Sequence, residues 1–304
     1  MGTPEFAVPS LDILHTAGYD IVGVITSTDK LGGRGRKTLI ESAVKKYAHS
    51  KGLNILQPKN LKSPKFIKEL DALKADLQVV VAFRMLPRQV WDMPSLGTYN
   101  LHGSLLPAYR GAAPINWAVI NGDTTTGVTT FKLKHEIDTG SICLQKELPI
   151  YAFDDAGAVH DRMMWVGADA VLETVQKIEK EDIDLSPQND ALKSHAPKLN
   201  RDNTKIDFSQ PVKKVYDFIR GLSPYPAAWM DIDGKAAKIY DASYTVSPQT
   251  HAVGAVLTDA KSKISIACPD GYIEIHHLQM SGKKKMSTKN LLNGYSIKNA
   301  IMLS

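Results

Sequence analysis

Residues Asp76-Leu77-Gln78-Val79-Val80-Val81-Ala82-Phe83 form a strongly apolar run, and they read as a core strand. A second short extended segment, Gly97-Thr98-Tyr99, follows, and directly behind it stands Asn100-Leu101-His102-Gly103-Ser104-Leu105-Leu106-Pro107. Asn100 and His102 are two apart, so in extended chain both side chains leave the same face. An amide donor and a titratable imidazole then meet in the crevice at the carboxyl end of a sheet, where open α/β sheets hold ligands. Upstream, helices are expected over residues 6–17, 38–50 and 63–73, with strands over 19–26 and 53–56. That alternation implies βαβ units with right-handed crossovers, hence a Rossmann-like α/β domain with a mostly parallel sheet.

Downstream the pattern changes. Two strands, over residues 127–133 and 141–148, flank the turn Glu136-Ile137-Asp138-Thr139-Gly140. Asp154-Asp155 opens a long helix reaching residue 178, with its acidic groups at the end the macrodipole favours. Residues 182–207 lose periodicity and contain Ser186-Pro187, Asn189-Asp190 and Ala196-Pro197, which marks a linker. A short helix over 212–221 then precedes strands near 237–240, 254–257, 264–267 and 271–276, the spacing of a small β-barrel or sandwich. The division is therefore a first domain over 1–181, a linker over 182–207, and a smaller β-domain over 208–304. At the other end, Met1-Gly2-Thr3-Pro4-Glu5-Phe6 is a turn leading into a helix. In a doubly wound fold such a turn directly follows a central first strand. The reading therefore expects that Met1 is not the native start, or that the sequence is truncated.

At 304 residues, 43% hydrophobic and 23% charged, the chain is globular and long enough for two domains. No apolar run approaches the ~18 residues of a membrane span, and no basic-then-apolar leader is visible. Cys143 and Cys268 lie far apart without CxxC or Cys/His spacing, which argues against a disulfide framework or a zinc site. A metal-free protein of a reducing cytoplasm is expected, and nothing calls for more than a monomer. The net charge of +5 is uneven, with −1 over residues 1–195 and +6 over 196–304. A basic module beside a neutral one suggests a polyanionic partner, although +6 on about a hundred residues also suits a plain soluble surface.

Asn100, His102 and Asp138 are together able to polarise a carbonyl and manage protons. Most lone histidines are satisfied core or surface residues, but Asn100 two residues away and Asp138 in a strand-end turn favour a catalytic role for His102. Asp138 alone is as well explained by a turn residue capping its own backbone, as Asp-Thr-Gly often does. Arg110 reads as a salt-bridge or helix-start residue. His135 reads as a solvated turn histidine. His276-His277 lacks a third ligand and faces both sides of a strand, so it is no metal pair. Tyr225, Trp229, Tyr240 and Tyr244 read as core.

The motifs taken together resemble the methionyl-tRNA formyltransferase family, within the enzymes that use 10-formyltetrahydrofolate. Gly2-Thr3-Pro4-Glu5-Phe6-Ala7-Val8, Asp29-Lys30 before Gly33-Arg34-Gly35, the 100–114 block, Asn116-Trp117-Ala118, Asn121-Gly122-Asp123, Asp138-Thr139-Gly140, Ile219-Arg220 through Pro226, and Gly282-Lys283-Lys284-Lys285 carry the resemblance. It spans nearly the whole chain. It implies transfer of a formyl group from 10-formyltetrahydrofolate to the amine of methionyl-initiator tRNA, with Asn100, His102 and Asp138 catalytic. It also implies a folate wall at Ser104, Leu105, Leu106 and Pro107, whose leucines and proline suit the flank of a flat pterin. Arg34, Arg36 and Lys37 are implied to meet the acceptor end of the tRNA, and Lys283, Lys284 and Lys285 to bind it from an OB-like C-terminal barrel. Three departures stand out: Thr28 and Leu31 where prolines are usual, and Phe83-Arg84-Met85 in place of a Tyr-Gly pair. The rivals are another formyltetrahydrofolate-dependent transferase or hydrolase, acting on a sugar nucleotide or purine precursor, and a non-catalytic tRNA-binding protein.

Overall fold

The computed structural model describes residues 1–32, 38–248, 250–298 and 300–303. It divides into two compact units, one formed by 1–111, 126–148 and 160–195, the other by 112–125, 149–159 and 196–304. Arg34, Arg36 and Lys37 lie outside the described residues.

In the first unit the strands Val24–Ile25 and Ile55–Leu56 pair in parallel, as do Gln78–Val81 and Thr98–His102. Met1 and Gly2 run between these pairs. Gly2 N–H donates to Ile25 O at 3.0 Å, and Val81 N–H donates to Met1 O at 2.9 Å. A Cβ at Gly2 would stand 2.6 Å from Ala7 Cβ and 3.0 Å from Val81 O, so the close approach admits only glycine. The Met1 amine donates to Val79 O at 2.6 Å, and burial pushes its pKa down to about 5. Beyond Thr98–His102 the sheet turns antiparallel at Thr125–Lys132 and continues to Ile142–Pro149. It is thus mixed rather than parallel throughout. Val80, Ile25, Phe66, Leu70 and Val90 close its core on one side.

Two segments differ from the pattern read in the sequence. The strand expected over 19–26 is confined to Val24–Ile25. The helix expected over 38–50 begins only at Ala43, because the Ser42 hydroxyl caps it by accepting Lys45 N–H at 3.0 Å. The preceding Thr38–Ile40 is a strand paired antiparallel with Lys30–Gly32. Asp29 secures the base of that hairpin through Lys45 Nζ at 2.5 Å and Gln57 Nε2 at 2.8 Å, and the lysine contact holds its carboxyl below the usual range. The long helix runs over Ala156–Glu179, with Asp155 just ahead of it accepting Ala158 N–H at 2.8 Å.

In the second unit the helix Val212–Leu222 buries Val212, Val215, Tyr216, Ile219 and Leu222, an i, i+3, i+4 stripe. That stripe covers a sheet in the order Ala228–Ile232, Lys235–Val246, Gly271–Met280, Ile264–Cys268, Val256–Thr258, Ile301–Met302. Ile239, Ile266, Ile273, Ile275 and Leu278 face it. Gly271–Met280 alternates buried and partly exposed residues until His276 and His277, which are both half-exposed. The phase slips there because the register with Lys235–Val246 shifts around Asp241. Each histidine is used locally, His276 with Ser243 and His277 with Asp241. Tyr225 is not core: it is 82% exposed, since the turn that carries it leaves the sheet before the Ala228–Ile232 strand begins. Burial raises the thiols of Cys143 and Cys268 to about 12 and about 11, which suits inert side chains.

Candidate active site

The strand Thr98–His102 brings Asn100 and His102 onto one face at its carboxyl end. His102 is 6% exposed and shares a 2.9 Å hydrogen bond between its Nε2 and the carbonyl of Tyr109. A carbonyl only accepts, so Nε2 carries a hydrogen, and the neutral ring keeps its lone pair on Nδ1. That Nδ1 faces Asp138 Oδ2 at 3.9 Å. The Asn100 side-chain amide, half-buried, makes no hydrogen bond to the described residues, and its donors are open to a ligand.

Asp138 arrives from the later turn. Its Oδ2 accepts Gly111 N–H at 3.0 Å, and its own backbone sits at φ +54°. Gly140 two residues on admits no side chain, because a Cβ would lie 1.8 Å from Lys132 O. The Asp-Thr-Gly turn is therefore set by close backbone packing as well as by its carboxylate. The structure brings Asp138 to His102 and leaves His135 exposed.

The Ser104–Pro107 turn is pinned by Thr129, whose hydroxyl donates to Ser104 O at 2.7 Å and accepts Leu106 N–H at 3.0 Å. Ser104 is fully buried, its hydroxyl donating to Ala108 O at 2.6 Å, and Leu106 is also buried. Leu105 and Pro107 stay half-exposed, so they are the members of the four able to meet a ligand directly.

Gln188 and Ser194 join the site although their sequence gave no sign of it, and Tyr109, within the 100–114 block, joins it through its backbone. Ser194 Oγ accepts Tyr109 N–H at 2.9 Å, and Ser194 O accepts Arg110 N–H at 2.9 Å. Gln188 Nε2 donates to Asp138 O and Gly140 O, both at 2.8 Å. Arg110 is buried and structural, as expected of it. Its Nε and Nη2 donate to Gln188 Oε1 at 2.9 and 2.6 Å, and Nη2 also reaches Asp190 Oδ1 at 2.7 Å. The stretch 182–195, read as linker, thus folds onto the first unit. Its lack of periodicity hid this, because side-chain and single-bridge contacts need no repeat.

Lys283, Lys284 and Lys285 are exposed in the second unit, on the turn after Gly271–Met280. Lys283 lies 5.7 Å from the Tyr295 ring and Lys285 4.7 Å from the Tyr240 ring, cation–π contacts that hold the stems against the surface. Among the described residues no His, Cys, Asp or Glu group is placed to hold a metal ion. No described helix is long and apolar enough to cross a membrane.

The profile of the Formyl transferase family matches residues 1–175, and that of its C-terminal domain matches 198–296. A methionyl-tRNA formyltransferase of Parabacteroides distasonis is 55% identical over 305 residues, spanning 97% of this chain and 94% of that protein. Among solved structures, an N-formyltransferase of Helicobacter canadensis in complex with folinic acid and dTDP-3-aminofucose aligns with TM-score 0.67 at 19% identity, over 94% of this chain and 97% of its own. HypX of Aquifex aeolicus, in complex with tetrahydrofolic acid, aligns with TM-score 0.60 at 20% identity over 84% of this chain, which spans only 45% of HypX. At such identities the structural likeness speaks for the fold alone.

Proposed function

This chain belongs to the methionyl-tRNA formyltransferase family, and on that premise we propose how its residues carry out formyl transfer. It moves the formyl group of 10-formyltetrahydrofolate to the free amine of methionyl-initiator tRNA, giving the N-formylmethionyl-tRNA that starts translation. The folate, when bound, supplies the electrophilic formyl carbon. The residues suit it: the Asn100 amide has unspent donors, and Leu105 and Pro107 are half-exposed apolar side chains.

Asn100 donates to the oxygen on which negative charge grows, a contact typically worth about 3 kcal/mol of barrier. As the new C–N bond forms, His102 accepts the amine proton at Nδ1, the one ring atom that its bond to Tyr109 leaves free to accept, and returns it to the folate nitrogen that departs as the old C–N bond breaks. Asp138, oriented by Gly111 N–H, then faces the charged imidazolium. The observation that carries this reading is the convergence of Nδ1 and the Asp138 carboxylate beside an unspent amide.

The proposed division of labour keeps catalysis in residues 1–181 and RNA holding in 208–304, the latter as an OB-like barrel. Of the stretch 182–207 between them, residues 182–195 ally with the catalytic part. Lys283, Lys284 and Lys285, with Arg34, Arg36 and Lys37, hold the tRNA, and the enzyme works as a cytoplasmic monomer. The direct test measures formyl transfer to methionyl-tRNA by the wild type and His102→Ala. Turnover should fall by about 10²–10⁴-fold, and a full-rate variant overturns the mechanism. Equal turnover on a sugar nucleotide would favour the rival substrate class.

A further inference from the structure

We infer that Gln188 is a positioning residue for formyl transfer, holding the turn that presents Asp138 to His102. The inference rests on the catalytic reading of that pair. Residues 134–137 of the turn are exposed, so their side chains do little to fix it. Asp138 nevertheless holds a left-handed backbone at φ +54°, a conformation that relaxes unless the surroundings impose it.

The Gln188 amide supplies that constraint with all of its hydrogen-bonding capacity. Nε2 gives its two hydrogens to Asp138 O and Gly140 O, and Oε1 takes two Arg110 N–H groups. A flipped amide would set oxygen against two carbonyls, so the orientation is unambiguous. The contacts also close a ring. Gly111, next to Arg110, donates its N–H to the Asp138 carboxylate, while Tyr109 on the other side fixes His102 through Nε2. Tyr109 and Gly111 therefore hold one member of the pair each, and Gln188 ties the Asp138 backbone to Arg110 between them. Ser186 steadies Gln188 by exchanging both backbone hydrogen bonds with Ile142, at 2.8 and 3.0 Å.

The experiment compares Gln188→Glu and Gln188→Met with Asp138→Asn and the two double variants, in steady-state formyl transfer to methionyl-tRNA across pH. Gln188→Glu keeps a partner for Arg110 but places oxygen against the turn carbonyls; Gln188→Met keeps volume and loses every bond. Both should lower kcat by about 10- to 100-fold. KM for folate and for tRNA should stay within about threefold, and the pH limb of kcat should move. A merely structural glutamine would not move that limb. In the double variants the added Gln188 change should cost almost nothing beyond Asp138→Asn, because both act through one group. Full kcat in both single variants, a loss confined to KM, or simple multiplication of the effects overturns the inference. Full activity in Asp138→Asn instead removes the catalytic reading itself, so the two failures are distinct.

Discussion

Asp138 and Asp217 are both largely withdrawn from water, yet they are built to opposite ends. Asp217, 6% exposed, lies on Val212–Leu222 with Lys213 one turn before it and Arg220 one turn after. Its oxygens accept Lys213 Nζ at 2.6 and 2.5 Å and Arg220 Nε at 2.7 Å, while Arg220 Nη1 donates to Asp154 O at 2.8 Å. Asp138 accepts the Gly111 N–H and faces an imidazole across 3.9 Å. A carboxylate saturated by cations is a brace, because removing it strands a buried arginine. A carboxylate held by a backbone N–H beside a histidine keeps lone pairs for a charge that comes and goes. The same residue type thus braces one unit and, on the proposed mechanism, serves chemistry in the other.

The sharpest way to break this comparison is to neutralise each aspartate. Asp138→Asn preserves shape and the Gly111 contact but removes the charge opposite His102. Steady-state assay should show kcat lower by about 10³-fold, with an almost unchanged melting temperature. Asp217→Ala should do the reverse. Denaturant unfolding should lose about 3–5 kcal/mol, the usual cost of stranding a buried charge, while kcat per folded molecule stays within twofold. If Asp138→Asn melts early or Asp217→Ala is inactive while folded, the distinction fails.

A third kind of charge sharpens it. Lys283, Lys284 and Lys285 are exposed, so replacing all three with alanine should leave melting unchanged. The variant should raise KM for tRNA several-fold and flatten the dependence of binding on salt, since each lost phosphate contact removes just under one unit of slope. An unchanged salt slope would remove these lysines from the RNA surface. The smallest effect belongs to Asp190, whose carboxyl Arg110 holds below the ordinary range by a direct hydrogen bond. A lowered folded value contributes stability above about pH 4 that is lost as pH falls through that value. Wild type should therefore melt above Asp190→Asn at pH 7, with the gap closing toward pH 2. A gap independent of pH would mean the ion pair is not its source.

Much of the strand that carries the proposed site was legible before the structure. The strand through Val79–Val81 and the spacing of Asn100 and His102 depend on local periodicity alone, and the structure keeps both. The helix expected over 38–50 shows the limit, since Thr38, Leu39 and Ile40 suit either state and the Ser42 cap with the Lys30–Gly32 partner decided it. The linker reading of 182–207 shows the same limit from the other side. Gln188 and Ser194 earn their places through contacts about 50 and 85 residues away, which no local pattern records.

By itself the sequence determined the α/β alternation, the basic last third and, through its motifs, the resemblance to the formyltransferase family, because these follow from periodicity, charge and motif. Only the tertiary structure decided which imidazole nitrogen faces Asp138, that Ser104 and Leu106 turn inward, and that a stretch without periodicity clamps the Asp138 turn. Those outcomes depend on hydrogen bonds between distant segments. Such bonds have direction and must be satisfied when buried, so they are fixed only once the chain has closed around them.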